Sequence, residues 1–538
     1  MSSNQPPPLV GYNLYDADAP LREALEREGG SWAEALVREL GSLAGTEQAI
    51  VWGFQANANP PTLRTHDRFG NRIDEVEFHP SWHELMKVAV GHGLHALPWR
   101  EPRAGAHAAR AAAFYIWSQV EGGHGCPISM TYAVIPALRR APKVAAVWEP
   151  LITTLDYDFG LRPPASKRGV LFGMAMTEKQ GGSDVRANTM SAAPTAEEGV
   201  HLLTGHKWFC SAPMCDAFLV LAQAPGGLSC YLLPRVLPDG TRNQFHIQRL
   251  KDKLGNRSNA SAEIELQDAW AVMIGEEGRG VKTIMEMVNH TRLDCIIGSA
   301  SLMRQAVAQA IHHTAHRSAF GKLLSEQPLM MNVLADLAVE SEATTVLMMR
   351  LAGTFDRAGD DAGAGFRRVG LAVAKYWTCK RAIGVAAEAL ECHGGNGYVE
   401  ESILPRLYRE APVNSLWEGS GNINALDVLR AMRKEPDATP AFIAEVESAR
   451  GADPRLDRAV AELKRTLGDH DQLESRARSL VERMAMVLEG SLLVRYGDPA
   501  VADLFCGSRL EGEWGHTFGS LRPSAKFAEV IERHRPAA

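Results

Sequence analysis

The chain has 538 residues, of which 45% are hydrophobic and 22% charged, and its formal net charge is −7. That length can bury several cores and predicts about three or four domains. No apolar run reaches the roughly 18 residues of a membrane span, and segment 1–10 lacks the basic and apolar regions of a signal peptide. We therefore expect a cytoplasmic protein that does not enter a membrane and is not coated in basic charge.

The cysteines give no sign of a structural framework. All eight lack close paired spacing, and most lie in apolar or loop contexts. We expect neither a disulfide framework nor a metal site. No internal repeat is visible.

The first 172 residues have a mainly helical pattern. Apolar residues recur every three or four positions in 21–43 and 83–94, and 104–120 is rich in alanine. The glycine-rich segment 122–131 precedes a further helix, and it is either an interhelix loop or the lining of a pocket.

From residue 173 to 280 the pattern is that of strands. Short alternating or β-branched runs are separated by turns. They cover 170–176, 201–204, 217–223, 229–234, 245–250 and 262–266. The spacing predicts a compact β-domain.

The helical period returns at residue 281. Long helical stretches at 291–317, 329–351 and 367–393 predict a bundle that ends near residue 434. The last part, 435–538, is again helical in pattern.

The segment 404–430 contains the strongest candidate for catalysis. Glu418 lies between Trp417 and Gly419-Ser420-Gly421, and Ala411-Pro412 upstream signals a turn. A neighbouring indole dehydrates a carboxylate and raises its pKa toward a value suited to a general base. The glycines allow a backbone to approach a flat ligand. Taken alone, an ordinary surface turn explains the segment equally well.

Other segments offer ligand-binding groups. The loop 177–184, Thr-Glu-Lys-Gln-Gly-Gly-Ser-Asp, presents N–H and O–H donors, although a plain hairpin loop is the alternative. Aromatic residues in 205–211 are core residues or a stacking surface. Segments 317–322 and 391–398 each lie at the end of a long helix. Glycine at such a place is normally a C-cap, and the alternative is that an Arg there pairs with a diphosphate.

In this order, the motifs Thr-Glu-x-x-x-Gly-Ser-Asp, Gly-x-Lys-x-aromatic-x-Ser, Lys-Leu-Gly-x-Arg, Arg-x-x-Phe-Gly, Gly-Gly-Asn-Gly and Glu-Gly-Ser resemble the acyl-CoA dehydrogenase flavoproteins. Segments 176–185, 251–261 and 412–423, with the C-terminal extension, resemble the AidB branch of alkylation-response flavoproteins. The resemblance covers nearly the whole chain.

The resemblance implies an α+β fold of the acyl-CoA dehydrogenase type. It consists of an N-terminal helical domain (1–172), a middle β-barrel (173–280), a four-helix bundle that binds FAD (281–434) and an extra C-terminal helical domain (435–538). It also implies a homotetramer, with FAD where the domains meet and at a subunit contact.

The resemblance also assigns residues to the cofactor. Contacts with FAD are expected from Met174, Thr177, Gly182, Ser183, Phe209, Ser211, Trp417, Ser420 and Asn422, and contacts with a neighbouring subunit's FAD from Arg317, Phe320, Gly394 and Gly395. Phe209 stands where the family has tryptophan and can still stack. Pro328 stands where the family often has glutamine, which weakens the expectation of an adenine contact there.

Glu418 matches the family's usual base, which removes the α-proton of an acyl thioester while the β-hydrogen leaves as hydride to the flavin. Some relatives carry the base just before the pair equivalent to Arg292-Leu293. Thr291 occupies that place here, so Glu418 is the expected base.

The AidB-like extension is expected to meet double-stranded DNA, although residues 431–538 contain 16 Lys or Arg and 18 Asp or Glu. Nonspecific phosphate binding needs clustered cations. The main candidates for DNA contact are Arg430, Arg433, Lys434 and Arg522. Further candidates are Arg476, Arg478, Arg509 and Lys526. The alternative for each is a mixed-charge solvated helix face.

Three functions are compatible with the sequence. The first is an AidB-type flavoprotein that binds DNA and keeps a weak or specialised dehydrogenase activity. The second is a metabolic acyl-CoA dehydrogenase whose extra domain serves assembly, and the third is a flavin oxidase of a small nitrogenous substrate. The branch-specific motifs and the extension favour the first.

Overall fold

The computed structural model describes residues 4–356, 361–469 and 471–536. Over these residues, no helix combines the length and the apolar character that crossing a membrane requires. Contacts divide the chain into two units. The first comprises Met1–Ile50, Arg103–Val120 and Arg292–Ala538, and the second comprises Val51–Pro102 and Glu121–Thr291.

The part before residue 172 is mainly helical, as predicted. Its elements are α1 (Ala19–Arg27), α2 (Glu34–Ala44), α3 (Glu47–Ala58), β1 (Thr62–His66), β2 (Arg72–Glu77), α4 (Pro80–Gly91), α5 (Leu97–Arg100), α6 (Ala106–Ser118), α7 (Gly125–Ala133), α8 (Ile135–Leu138) and α9 (Pro142–Ile152). The antiparallel β1–β2 hairpin was not predicted, because its strands are largely polar and only half-buried. The pattern over 21–43 is also split, since Gly29 has a φ of +78° and ends α1.

The predicted β-domain is a barrel. Its strands are β3 (Phe172–Ala175), β4 (Ser191–Pro194), β5 (Val200–Ser211), β6 (Ala217–Ala224), β7 (Gly227–Pro234), β8 (Phe245–Leu250) and β9 (Ser261–Ile274). Pairing runs β6–β4–β5–β9–β7 and closes through β7–β6, with β3 beside β6 and β8 beside β9. The apolar strand β6 is buried along most of its length because it lies inside this closed sheet.

The helical bundle follows. Its elements are α10 (Gly280–His316), the short strands β10 (Ser318–Ala319) and β11 (Lys322–Leu323), α11 (Pro328–Gly353), α12 (Asp361–Cys392), α13 (Gly395–Tyr398), α14 (Leu404–Asn414) and α15 (Gly421–Lys434). The expected turn at Ala411-Pro412 was wrong, because α14 continues through Pro412 to Asn414. Pro412 lacks the N–H that would bond to the carbonyl group of residue 408, and the helix ends two residues after it.

The extension is helical, as expected. It comprises α16 (Ala438–Glu447), α17 (Pro454–Gly468), α18 (Ala477–Tyr496), α19 (Pro499–Phe505) and α20 (Phe527–Arg533). Arg509, a candidate for DNA contact, is instead buried, and its guanidinium pairs with Asp336 at 2.5 Å and Glu340 at 2.9 Å on α11. It therefore joins the extension to the bundle and cannot reach a phosphate.

Candidate functional site

Glu418 lies on the short loop between α14 and α15. Its φ is +56°, and Gly419 follows at +101°. A residue with a side chain in this left-handed region costs about 1–3 kcal/mol and persists only where its surroundings hold it. Such strain is concentrated at functional sites.

Side chains from three helices hold this loop by its carbonyl groups. The buried Lys375 of α12 donates to the carbonyl oxygens of Trp417 at 2.7 Å and Gly419 at 2.6 Å. Arg292 of α10 donates to the carbonyl oxygen of Glu418 at 3.1 Å. Asn424 of α15 donates to the carbonyl oxygens of Gly419 at 2.6 Å and of the next residue at 3.0 Å. We call Lys375, Arg292 and Asn424 the carbonyl clamp.

The arginine of the carbonyl clamp is itself fixed by an ion pair. Arg292 pairs with Asp427 at 2.7 Å, and Arg368 pairs with the same carboxylate at 2.9 Å. Burial alone would raise the pKa of Asp427, but the two guanidiniums outweigh it and hold the pKa below its usual value. Asp427 therefore stays ionised and keeps Arg292 aimed at the loop.

The pKa of the buried Cys295 thiol is affected by charged groups near this loop. Burial raises its pKa well above the usual value, Lys375 opposes that rise, and Cys379 and Glu418 add to it. Because Lys375 and Glu418 both act on one buried thiol, both charges lie close to it. Cys295 stays protonated and is not a nucleophile.

In the β-domain, the Phe209 side chain is partly exposed. A register shift between Lys207 and Cys210 marks a bulge in β5, and bulges re-aim side chains. Phe209 is 48% exposed, whereas Cys210 is fully buried. The Lys251 ammonium lies 4.4 Å from the centre of the Phe209 ring. Ser211, also predicted as a contact, is half-buried two residues further on.

The loop after β3 is anchored by a buried ion pair. The Lys207 ammonium lies 2.7 Å from a Glu178 carboxylate oxygen, and both side chains are fully buried. Burial lowers the pKa of Lys207, and Glu178 opposes that shift. Glu178 also accepts from the backbone N–H of Thr189 at 2.7 Å, and the carbonyl oxygen of Thr177 accepts from the N–H of Trp208 at 2.8 Å. Glu178 and Lys207, two motif residues that could have faced a ligand, therefore hold the loop instead.

The predicted contacts along this loop differ in exposure. Met174 is buried on β3, Thr177 is half-buried, and Gly182 and Ser183 are exposed. The exposed pair presents backbone N–H and hydroxyl groups at the surface of the β-domain.

Arg317 and Phe320 lie where α10 gives way to the β10–β11 hairpin. Phe320 and Gly321 form its two-residue loop with φ values of +53° and +78°, the geometry of a type I′ turn. The Phe320 side chain is 99% exposed. The Arg317 guanidinium donates to the carbonyl oxygen of Asn4 at 2.5 Å.

The glycine pair at the end of α12 lies near the end of α10. The rings of His313 and His393 are 4.4 Å apart, so the two helix ends lie side by side. Gly394 and Gly395 are exposed, and a Cβ at either position would meet no atom within 4 Å. The backbone there is open to a ligand or a second chain.

Trp417 precedes Glu418, and Ser420 and Asn422 follow it by two and four residues. Trp417 and Ser420 are half-buried and Asn422 is exposed at the start of α15. Ser420 is the N-cap residue of α15, and no cap hydrogen bond from its hydroxyl is present in the described residues. The Ser420 hydroxyl and the Asn422 amide are available to a polar ligand, whereas the Trp417 indole N–H donates to Asn414 at 3.2 Å.

The proposed DNA contacts divide into two groups. Arg430, Arg433 and Lys434 are exposed at the end of α15, and they form no ion pair within the described ranges. Arg522 is also exposed, at 73% of its side chain, but it pairs with Glu513. The three α15 cations are therefore the stronger candidates.

Reasoning from the sequence missed the residues that position Glu418. Lys375, Asn424 and Asp427 were not singled out, and Arg292 served only as a landmark. One signal was present, because Lys375 is an isolated charge within the apolar run 371–379 of a long helix. A buried lysine in such a run needs a specific partner.

Comparison with known families matches three parts of the chain. Residues 4–159 match the adaptive response protein AidB N-terminal domain, residues 173–269 the acyl-CoA dehydrogenase middle domain and residues 278–433 the acyl-CoA dehydrogenase C-terminal domain. The extension after residue 433 lies beyond these matches.

The chain is also similar to individual proteins. It is 45% identical to the putative acyl-CoA dehydrogenase AidB of Escherichia coli K12 over 514 residues, 95% of this chain and 94% of the relative. The crystal structure of Caenorhabditis elegans ACDH-11 in complex with C11-CoA has a TM-score of 0.86 at 26% identity, covering 100% of this chain and 93% of that one. An acyl-CoA dehydrogenase from Bacillus anthracis complexed with FAD shares the fold, with a TM-score of 0.62 at 18% identity over 84% of this chain and 79% of that one.

Proposed function

Because this chain belongs to the acyl-CoA dehydrogenase family, in its AidB branch, we propose that it is a DNA-binding flavoprotein of the alkylation-damage response that keeps a weak or specialised dehydrogenase activity. The chain is an FAD-dependent oxidoreductase of the acyl-CoA dehydrogenase type. Its DNA role, its cytoplasmic location and its physiological substrate class belong to the proposal.

The residues of this chain fit FAD. In the second unit, the exposed face of Phe209 can stack on a flavin ring, and Ser183 offers a hydroxyl beside open backbone. In the first unit, Gly394 and Gly395 leave space against the backbone, and Arg317 supplies a charge suited to a diphosphate. When bound, FAD supplies the hydride acceptor of the reaction.

We assign the proton transfer to Glu418. The carbonyl clamp holds its backbone in one conformation, so the carboxylate needs little reorganisation before it removes the α-proton of an acyl thioester. Positioning of a base is effective only if the substrate is held equally well. The substrate class is proposed from the relatives, since the C. elegans structure carries C11-CoA.

Support for DNA binding comes from the end of α15. Arg430, Arg433 and Lys434 are spaced three and four residues apart, so they lie on one side of the helix. The nearby Glu435 carboxylate pairs with Arg368 at 2.8 Å, which neutralises the adjacent negative charge. Three unpaired cations on one side of a helix form a patch that attracts phosphates.

Assembly as a homotetramer is part of the proposal. Large apolar side chains of the bundle are exposed in the single chain, among them Phe320, Leu329 and Tyr398. Exposed apolar groups of this size are typical of subunit contacts. A neighbouring chain would cover them.

The test of DNA binding is a salt series on plain duplex DNA with the flavin-loaded protein. Replacing Arg430, Arg433 and Lys434 together with glutamine should weaken binding and reduce the slope of log K against log salt by about 2 to 3, since each phosphate contact contributes about 0.9. An unchanged slope would exclude this patch.

A matched control removes three cations of the extension that are already paired. Arg458, Lys464 and Arg483 pair with Glu511, Glu447 and Glu462. Their replacement with glutamine removes the same formal charge, so a patch-specific effect must be larger in the α15 variant. Equal effects in both variants would indicate binding through net charge alone.

The second candidate is a metabolic acyl-CoA dehydrogenase without a DNA role, and the likeness to the C11-CoA complex favours it. Undecanoyl-CoA added without oxygen should bleach the flavin absorbance if this chemistry is present. Glu418→Gln should slow bleaching about 1,000-fold or more while FAD stays bound, since it removes the base. Rapid bleaching with no DNA binding at low salt would select the metabolic role.

A further inference from the structure

Lys375 of α12 contacts the loop on both sides of Glu418. Lys375 donates to the carbonyl groups on both sides of Glu418, those of Trp417 and Gly419. The other two members of the carbonyl clamp differ. Arg292 reaches only the carbonyl oxygen of Glu418, and Asn424 holds the loop from the helix that follows it. Only Lys375 in the carbonyl clamp bonds to the carbonyl group preceding Glu418.

Lys375 is an unusual buried lysine. Its exposure is 1%, and across the described ranges it forms no ion pair within 4 Å. Burying an ammonium group is costly unless it gains strong partners. The carbonyl oxygens of Trp417 and Gly419, at 2.7 and 2.6 Å, are the strong partners that the fold supplies.

The turn of α12 that carries Lys375 is fixed from the extension. The next residue, Tyr376, accepts from Arg478 of α18 at 3.3 Å, and Trp377 donates to Glu489 of α18 at 3.0 Å. The two residues that follow Lys375 are therefore both held by one helix of the extension. The ammonium group is placed by contacts that do not involve the loop it holds.

We propose that Lys375 is the positioning residue that keeps Glu418 in the left-handed conformation from which its carboxylate acts. The proposal rests on the proposed dehydrogenase function for its effect on turnover. The effect on the loop itself is independent of that function. Removing the ammonium group releases two carbonyl groups at once and allows residue 418 to relax to an ordinary backbone conformation.

The first readout is amide hydrogen exchange in the FAD-loaded protein. The protected amides of segment 413–425 include two that flank Glu418, since Trp417 N–H donates to the carbonyl group of Val413 at 3.2 Å and Asn424 N–H to that of Ser420 at 3.0 Å. Lys375→Met should raise exchange in this segment about tenfold or more. Lys375→Gln, which keeps N–H donors without the charge, should give a smaller rise and provides a second variant if the methionine variant does not fold.

The second readout is turnover of undecanoyl-CoA per bound FAD with an artificial electron acceptor. Lys375→Met should lower kcat about 10- to 100-fold and change KM less than about twofold, because a misplaced base affects the chemical step more than binding. Lys375→Gln should recover part of kcat.

The control is Arg350→Met. Arg350 is a buried cation of α11 that pairs with Glu445 at 2.7 Å, away from the carbonyl clamp. It should lower thermal stability without changing exchange in 413–425 or kcat per bound FAD. The proposal would be overturned if exchange in 413–425 rose as much in Arg350→Met as in the Lys375 variants. Unchanged exchange in both Lys375 variants would also overturn it. Increased exchange in the Lys375 variants alone would uphold the positioning role. If the wild-type protein also fails to oxidise the thioester, the dehydrogenase function is rejected while the positioning role stands.

Discussion

The buried pair Glu178–Lys207 permits a quantitative prediction. Replacing Glu178 with glutamine leaves the Lys207 ammonium buried with only neutral acceptors, chiefly the carbonyl oxygen of Leu221 at 2.8 Å. Removing one partner of a buried ion pair costs about 3–5 kcal/mol. For a unit of this size, that corresponds to a fall in Tm of roughly 6 to 20 °C.

The opposite replacement should be milder. In Lys207→Met, the Glu178 carboxylate keeps the N–H groups of Thr189 at 2.7 Å and Met190 at 3.3 Å, and the Gln180 amide at 2.7 Å. A carboxylate that retains several N–H donors is better compensated than a buried ammonium group that has lost its counter-charge. We therefore expect Glu178→Gln to be the more destabilising of the two.

The assay is equilibrium urea unfolding followed by tryptophan fluorescence, supported by thermal unfolding. The control is Glu84→Gln, which breaks the exposed pair with Lys87 in the same unit and should cost less than about 1 kcal/mol. A Glu178→Gln variant within 1 kcal/mol of wild type, or a Lys207→Met variant that is less stable than it, would refute the reasoning.

Three further predictions concern other sites. Burial would raise the pKa of Glu445, but Arg350 and Arg495 outweigh it and lower the pKa to about 2 from 4.5. Glu445→Gln should therefore lose roughly 3 kcal/mol of stability above pH 4.5, and this difference should disappear as the pH falls toward 2. Urea unfolding measured across pH tests it. Phe320→Ser should change the stability of the chain by less than about 0.5 kcal/mol, because the ring is exposed, but should shift sedimentation toward smaller species. Phe209→Ala should weaken FAD binding about three- to tenfold in a fluorescence titration, through loss of stacking, and unchanged affinity would remove Phe209 from the site.

The order of helical and strand regions could be predicted from hydrophobic periodicity. Strand β8 was predicted with its observed limits, Phe245–Leu250, because its β-branched and apolar content differs from the flanking turns. The polar hairpin β1–β2 could not be found in this way. Pro412 also misled the prediction, since local propensity does not show how close a helix is to its end.

The candidate site was predicted unevenly. The motif residues around Glu418 are close in the chain, so the sequence alone brings Trp417, Ser420 and Asn422 near it. The roles of Glu178 and Lys207 were not apparent, because a buried ion pair between residues 29 positions apart depends on strand pairing. The motif around Glu178 resembles a ligand-binding loop. The ion pair between Glu178 and Lys207 holds this loop to β5.

By itself, the sequence determined the family, the domain order and the identity of the candidate base, since these depend on local pattern and contiguous motifs. Only the tertiary structure showed that Lys375, Arg292 and Asn424 meet the carbonyl groups around Glu418. The three residues come from α12, α10 and α15, and no periodicity within one helix indicates which side chain of another it will meet. The packing of the bundle decides that contact, because it sets the rotation of each helix and buries the donors against a strained loop.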